Sequence, residues 1–354
     1  MRRSKFSLLW RFITLAHGAG GRETKEVIEE LIKQHVPVEY WKVQGGTGLD
    51  ELDDSSLIPL GDGRYLAITI DSYTVNPPFF PGGNIGLLAA SGTINDLLMV
   101  GAKPLAALDA IIVEEGFPSD KLEAIIESLT KTLTSEGVKL IGGDFKVMPR
   151  GQVDGIVIAM TGIGITSKPI IDSRIKPGDV IIVTGSLGDH GAAILAAQQG
   201  LTAKLDVKSD VKPLTKLMIP LLERYGDAIH GAGDPTRGGL AMLVNDWAEK
   251  TGTVIVLHED RIPVKKKVRD YAEMLGIDPL SLASEGVAVL AVDEAYGTEI
   301  LEYIRSKGFE EAEIIGRVYE AKKPEHKGKV LLRTITGGYR ILEPPSGELV
   351  PRIC

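Results

Sequence analysis

Helix-period and strand-like segments alternate along almost the whole chain, and this alternation limits the fold more than any single motif does. Residues 22–34 read as a helix, 65–71 as a buried strand ending on Asp71, and 85–100 as an apolar helix. A strand over 105–113, a helix over 119–135 with Ser119 as N-cap, a short strand over 138–142 and a glycine-rich strand over 153–165 follow. The pattern resets near residues 168–179, where Arg174-Ile-Lys-Pro-Gly-Asp179 turns into a new strand at 180–184. Helices over 188–199, 213–225, 238–251, 265–275 and 294–307 then alternate with strands near 253–257, 287–292, 313–318 and 330–334. The expectation is a two-domain α+β chain divided near residue 168.

At 354 residues the chain is long enough for two hydrophobic cores. A net charge of −8 argues against bulk binding to nucleic acid, which needs a basic face. No apolar run approaches ~20 residues, so no membrane span is expected. Residues 1–16 read as an extension outside the core, because Arg11 interrupts the apolar stretch that begins at Phe6 and no small-residue cleavage site follows. Four Asn and five Gln beside plentiful Lys, Glu and Ile suggest a hot-environment source.

Several carboxylates stand where a soluble core does not tolerate them bare. Asp53 and Asp54 follow a glycine-containing turn, Asp71 ends a strand, Asp144 follows Gly142 and Gly143, and Asp234 sits in Gly231-Ala-Gly-Asp-Pro-Thr-Arg-Gly-Gly239. Asp96 is the sharpest case, with Ile94, Leu97, Leu98, Met99 and Val100 around it. Such a group must be paired or bound to a metal. A cap or an ion pair explains any one of these aspartates; for all of them together, hard oxygen ligands for Mg²⁺ is the better reading. There is no Walker A sequence, but glycine-rich turns at His17-Gly-Ala-Gly-Gly21, Pro81-Gly-Gly-Asn84 and Gly142-Gly143 suit a polyphosphate site of another type. Arg237, in a glycine-flanked loop at the start of a helix, is placed to hold an anion. Lys146 and Glu285 are candidate acid–base or phosphate-binding groups.

The one cysteine, Cys354, excludes a disulfide framework and fits a reducing, cytoplasmic compartment. It closes a segment, 337–354, with prolines at 344, 345 and 351 and no sustained period. That segment is expected to be a mobile arm carrying a nucleophilic thiol, with Ile341, Leu342, Leu349, Val350 and Ile353 able to dock it.

Leu52-Asp-Asp-Ser-Ser56, Thr69-Ile-Asp-Ser72, Gly92-Thr-Ile-Asn-Asp-Leu97, Gly142-Gly-Asp144 and Asp234-Pro-Thr-Arg-Gly-Gly239 resemble the motifs of the PurM-like superfamily of ATP-dependent enzymes. Phe79-Phe-Pro-Gly-Gly-Asn-Ile-Gly86, Glu114-Glu-Gly-Phe117 and Pro351-Arg-Ile-Cys354 narrow the resemblance to the HypE family of hydrogenase-maturation carbamoyl dehydratases. The resemblance covers roughly residues 17–354. Phe145 departs from the Thr usual in the family, and Ser284 from the usual Asn.

The resemblance implies a homodimer, with an ATP-binding and dimerisation domain at 17–167, a second PurM-like domain at 168–336 and the tail at 337–354. It implies ATP with Mg²⁺ held by Asp53, Asp54, Asp71, Asp96, Asp144 and Asp234. Gly83, Asn84, Asn95, Gly142, Gly143 and Arg237 would complete the nucleotide site. Cys354 would be loaded by a carbamoyltransferase and its carbamoyl group dehydrated to a thiocyanate, with Glu285 or Lys146 as base. An iron-binding maturation scaffold for the nickel–iron hydrogenase would accept the cyanide. The alternatives are a phosphotransferase of the selenophosphate synthetase or thiamine monophosphate kinase type, or a non-enzymatic scaffold carrying a ligand on Cys354. The first 30 residues carry no reactive cysteine of the kind a selenophosphate synthetase needs.

Overall fold

The strand Tyr65–Tyr73 shows how the first half is organised. Its alternate residues Ala67, Thr69 and Tyr73 are buried, whereas Ile70 is 70% exposed, so one face of the sheet is covered and the other is not. The computed structural model describes residues 10–347. Within it, five strands lie in the order Ser56–Pro59, Tyr65–Tyr73, Ile156–Thr166, Lys103–Glu114 and Lys139–Met148. Neighbours run antiparallel except for the last pair, which is parallel and joined through the helix Ser119–Ser135. The helix Ile85–Met99 lies on the covered face. It is buried all round because helix Thr215–Tyr225 and strand Ile229–Gly233 of the second half press on it as well.

The second half is a seven-stranded mixed sheet, ordered Tyr339–Ile341, Lys329–Arg333, Val254–His258, Glu313–Tyr319, Val180–Val183, Val289–Val292 and Ile229–Gly233. Its helices include Asp189–Gln198, Gly239–Thr251, Lys266–Leu275 and Glu294–Ser306. One continuous apolar cluster joins Ile85, Leu98 and Met160 of the first half to Leu217, Leu221 and Leu290 of the second. The halves therefore share a core, and groups buried at their seam come from both.

Four local expectations are corrected. Gly142, Gly143 and Asp144 are not a turn after a short strand; they lie inside Lys139–Met148, paired in parallel with Leu108, Asp109 and Ala110. A Cβ at Gly143 would collide with Asp109, so the glycine serves strand packing there. The tail is not free from residue 337: Tyr339–Ile341 pairs antiparallel with Leu331–Arg333, and Leu342 is buried. Ser119 is the first helical residue rather than the cap, a position that Pro118 takes. Strands Ser56–Pro59 and Ile229–Gly233 were not foreseen, being too short or too rich in glycine to show a period.

Candidate active site at the seam of the two halves

Asp96 sits in a helix whose burial leaves it 9% exposed. Its Oδ2 accepts a hydrogen bond from Thr69 Oγ1 at 2.7 Å, a partner that the strand Tyr65–Tyr73 supplies from its covered face. Asp54 reaches it from the loop before the first strand, where Leu52 holds a left-handed φ of 53°. A non-glycine residue there costs on the order of 1 kcal/mol, strain typical of functional loops. Asp234 follows directly on the strand Ile229–Gly233. Carboxylate oxygens of Asp54, Asp96 and Asp234 lie within 4.8 Å of one another.

Burial and mutual repulsion dominate the electrostatics of this trio, with Arg237 acting the other way on Asp96 and Asp234. Burial, with Asp71 adding to it, pushes Asp96 up to about 8 despite the Thr69 hydrogen bond and Arg237. Burial and the neighbouring Asp234 and Asp96 hold Asp54 well above the ordinary carboxylate range. Burial and the charges of Asp96, Glu285 and Asp71 do the same to Asp234. Asp234 Oδ2 is buried without a hydrogen-bond partner among the described residues. An all-oxygen donor set with an orphaned oxygen fits a hard divalent cation.

Arg237 leaves the loop ahead of helix Gly239–Thr251 and pairs with Asp71, joining a guanidinium of the second half to the strand Tyr65–Tyr73 of the first, which runs two residues past the end expected at Asp71. Gly238 and Gly239, at φ 64° and 60°, give the loop its left-handed turn. Glu285 is 1% exposed, its Oε1 has no partner among the described residues, and burial with Asp210 and Asp71 raises it well above its ordinary value. Such burial makes this carboxyl hold a proton more tightly than an exposed one does.

Other sequence candidates have structural duties. Asp53 accepts from Lys250 Nζ at 2.5 Å, and Lys250 lies 3.7 Å from Asp172, which also accepts from Trp247 Nε1 at 2.8 Å. Asp53 thus anchors the loop that carries Asp54, although its Oδ2 remains unpartnered among the described residues. Asn95 is fully buried and spends its amide on the second half, accepting from Leu214 N at 2.9 Å and donating to Lys212 O at 3.2 Å. Asn84 caps the helix Ile85–Met99 by accepting from Gly86 N and Leu87 N, and Gly83 pairs with Phe80 just before it. Asp144 and Lys146 pair with one another at 3.2 Å on an exposed edge strand and do not join the trio. Gly142 and Gly143 are strand residues, and Cys354 lies outside the described residues. Sequence reasoning missed Thr69 as a partner of Asp96, and also Lys250, Asp172 and Asp210. Thr69 and Asp172 stand beside runs of apolar residues, whereas Lys250 and Asp210 carry no such signal.

Residues 52–166 match the N-terminal domain of AIR synthase related proteins, and residues 176–329 match their C-terminal domain. The chain is 45% identical over 345 residues to a hydrogenase expression/formation protein of Methanocaldococcus jannaschii, covering 97% of this chain and 99% of that one. It is 39% identical over 345 residues to the carbamoyl dehydratase HypE of Rhodobacter capsulatus, covering 97% and 98%. The chain belongs to the HypE family. A solved HypE in complex with ATP superposes with a TM-score of 0.79 at 37% identity, covering 97% of this chain and 100% of that one. A HypE–HypF complex gives 0.81 at 38% identity, covering 90% and 99%. As a HypE family member the chain is an enzyme of hydrogenase maturation, with two PurM-like domains.

Proposed function

We propose that this HypE family chain uses ATP to dehydrate an S-carbamoyl group on its own Cys354 to a thiocyanate, the source of cyanide for the nickel–iron hydrogenase centre. The convergence of Asp54, Asp96 and Asp234 at the seam, with Arg237 and Glu285 near them in the same field of charge, carries the reading. It is a site for polyphosphate chemistry beside a proton-transfer group.

A carbamoyl oxygen is a poor leaving group until it is phosphorylated. Its attack on the γ-phosphorus of ATP releases ADP, and loss of one N–H proton leaves an S-bound imidoyl phosphate. Loss of the second N–H proton and of phosphate then gives the S–C≡N group. Asp54, Asp96 and Asp234 would hold Mg²⁺, which supplies charge neutralisation for the phosphates. Arg237 offers its guanidinium to the same phosphates once Asp71 releases it. Glu285 takes the nitrogen proton; its burial makes it a stronger base than an exposed carboxylate and excludes water that would hydrolyse the activated group. Lys146 is the weaker candidate, since its side chain is 63% exposed and paired with Asp144. Asp71, whose charge acts on Asp96 and Asp234, belongs to the proposed metal and nucleotide set.

Homodimerisation is the further part of the reading. The uncovered face of the first sheet carries Leu66, Ile68, Ile70, Leu108 and Ile163, and the edge strand beside it exposes Ile141, Phe145 and Val147. A second copy would cover this apolar surface and bring in its own Asp144 and Lys146. The loading partner is a carbamoyltransferase, in line with the solved HypE–HypF complex, and the acceptor is an iron-binding maturation scaffold. No helix among the described residues is long and apolar enough to cross a membrane, and a free reactive thiol suits the cytoplasm.

Mass spectrometry of Cys354 tests the reading. Loading is expected to add the mass of a carbamoyl group, and ATP then to remove that of one water. Cys354→Ala is expected to bind nucleotide normally and yield no thiocyanate. ATP hydrolysis with the loaded thiol unchanged in mass would overturn the proposal.

A further inference from the structure

Asp210 entered above only as a charge that raises Glu285, yet it is also tied to the turn that carries that residue. Its Oδ1 accepts the Glu285 N–H at 3.2 Å, and its Oδ2 accepts the Gly286 N–H at 3.1 Å. The Lys212 N–H returns to the Glu285 carbonyl at 3.3 Å, so the two segments are laced three times within three residues. A Cβ at Gly286 would collide with the Asp210 carbonyl, which leaves no slack between them. The same segment is fixed to the first half of the chain. Ser209 N–H donates to Pro81 O at 2.8 Å, just ahead of the helix that carries Asp96, and Asn95 of that helix holds Lys212 O and the Leu214 N–H.

We infer that Asp210 is the positioning residue for Glu285, a splint whose two oxygens set the Glu285 turn in register with the helix that carries Asp96. The inference rests on the reading of Glu285 as the proton-transfer group. Two parallel N–H donors explain why the residue is an aspartate: a carboxylate offers an acceptor to each, whereas an asparagine turns its own N–H₂ toward one of them. The two N–H groups also favour the charged form of Asp210 and offset part of the burial that raises it to about 6. With Asp210 removed, both N–H groups lose their acceptor and the Glu285 turn is free to shift, while Asp54, Asp96 and Asp234 keep their own supports.

The test uses the full chain, carbamoylated at Cys354, with single-turnover thiocyanate formation and nucleotide affinity measured separately. Asp210→Ala is expected to slow dehydration on the order of 10- to 100-fold, the cost of a misplaced reacting group, with ATP affinity within about 2-fold of wild type. Amide exchange at Glu285 and Gly286 speeds up, and Asp210→Asn, which keeps one acceptor, falls between Asp210→Ala and wild type in both readouts. Because Asp210 acts through Glu285, the Asp210→Ala/Glu285→Gln double variant is no slower than Glu285→Gln alone. A full dehydration rate in Asp210→Ala, with Glu285→Gln impaired, overturns the splint and spares the role of Glu285. A full multiplicative loss in the double variant also overturns it. An undiminished rate in Glu285→Gln refutes the base assignment itself. If Asp210→Ala does not fold, Asp210→Asn decides by the same comparison.

Discussion

Asp96→Asn separates function from stability in opposite directions. The substitution keeps the volume of the side chain, and an amide oxygen still accepts the 2.7 Å hydrogen bond from Thr69, so the helix Ile85–Met99 stays packed. What it removes is one of three carboxylates crowded within 4.8 Å. At an effective dielectric of ~20, each like-charge pair at that spacing costs roughly 3 kcal/mol, which the protein avoids by keeping protons bound. Asp96 titrates at about 8 in the folded chain, against 3.8 for an ordinary aspartate. The sign follows from linkage. The folded state holds this proton more tightly, so metal-free stability falls as pH rises from about 4 to about 8, by roughly 5 kcal/mol at most. Asp96→Asn has no such proton. Variant and wild type are expected to differ little near pH 4, with the variant more stable by a few kcal/mol near pH 8 without divalent cations. Thermal melts in chelator across that range measure the difference, at roughly 2–4 °C per kcal/mol for domains of this size. Added Mg²⁺ is expected to stabilise wild type and not the variant, and the variant turns over no ATP. Identical pH slopes in the two proteins, or equal Mg²⁺ stabilisation, would refute the crowded-carboxylate reasoning. Loss of folding in the variant would show that Asp96 belongs to a structural ion pair instead.

Asn95→Ala leaves the Leu214 N–H and the Lys212 carbonyl unpaired at the seam, and urea titration is expected to show a loss of about 2–4 kcal/mol; a change below about 0.5 kcal/mol would contradict that role. Lys250→Met strips the cation from Asp53 and Asp172 and is expected to cost about 3–5 kcal/mol at pH 8. Part of that cost returns by pH 5, because Asp172, already pushed up to about 7 by burial and Asp53, then takes a proton; an equal cost at both pH values would count against it. Ile70→Lys places a charge on the uncovered sheet face, and sedimentation is expected to report a monomer for the variant and the proposed dimer for wild type; an unchanged mass would move the interface elsewhere.

The alternation of periods along the chain made the two-domain α+β class legible, because amphipathic spacing is a local property that neighbouring residues encode together. An aspartate with leucine, isoleucine and methionine around it was also readable as a group in need of a partner, and what it meets is Thr69 and two further carboxylates. Grouping was another matter. Asp53 and Asp54 are adjacent and look equivalent in sequence, yet one pairs with Lys250 and the other meets Asp96 and Asp234. Asn95 and Asp96 are adjacent too, but 100° of helix rotation points one into the seam and the other at the site. Gly142-Gly143-Asp144 reads as a phosphate-binding turn until parallel pairing with Leu108–Ala110 draws it into a strand. Asp210 shows no motif; its meaning lies in two N–H groups that arrive from another part of the chain. The sequence determined which chemical groups were available and the secondary structure that carries them. Which groups meet, and which are spent on holding the halves together, was decided by long-range packing, because a contact between distant segments depends on strand register and helix rotation that no local spacing records.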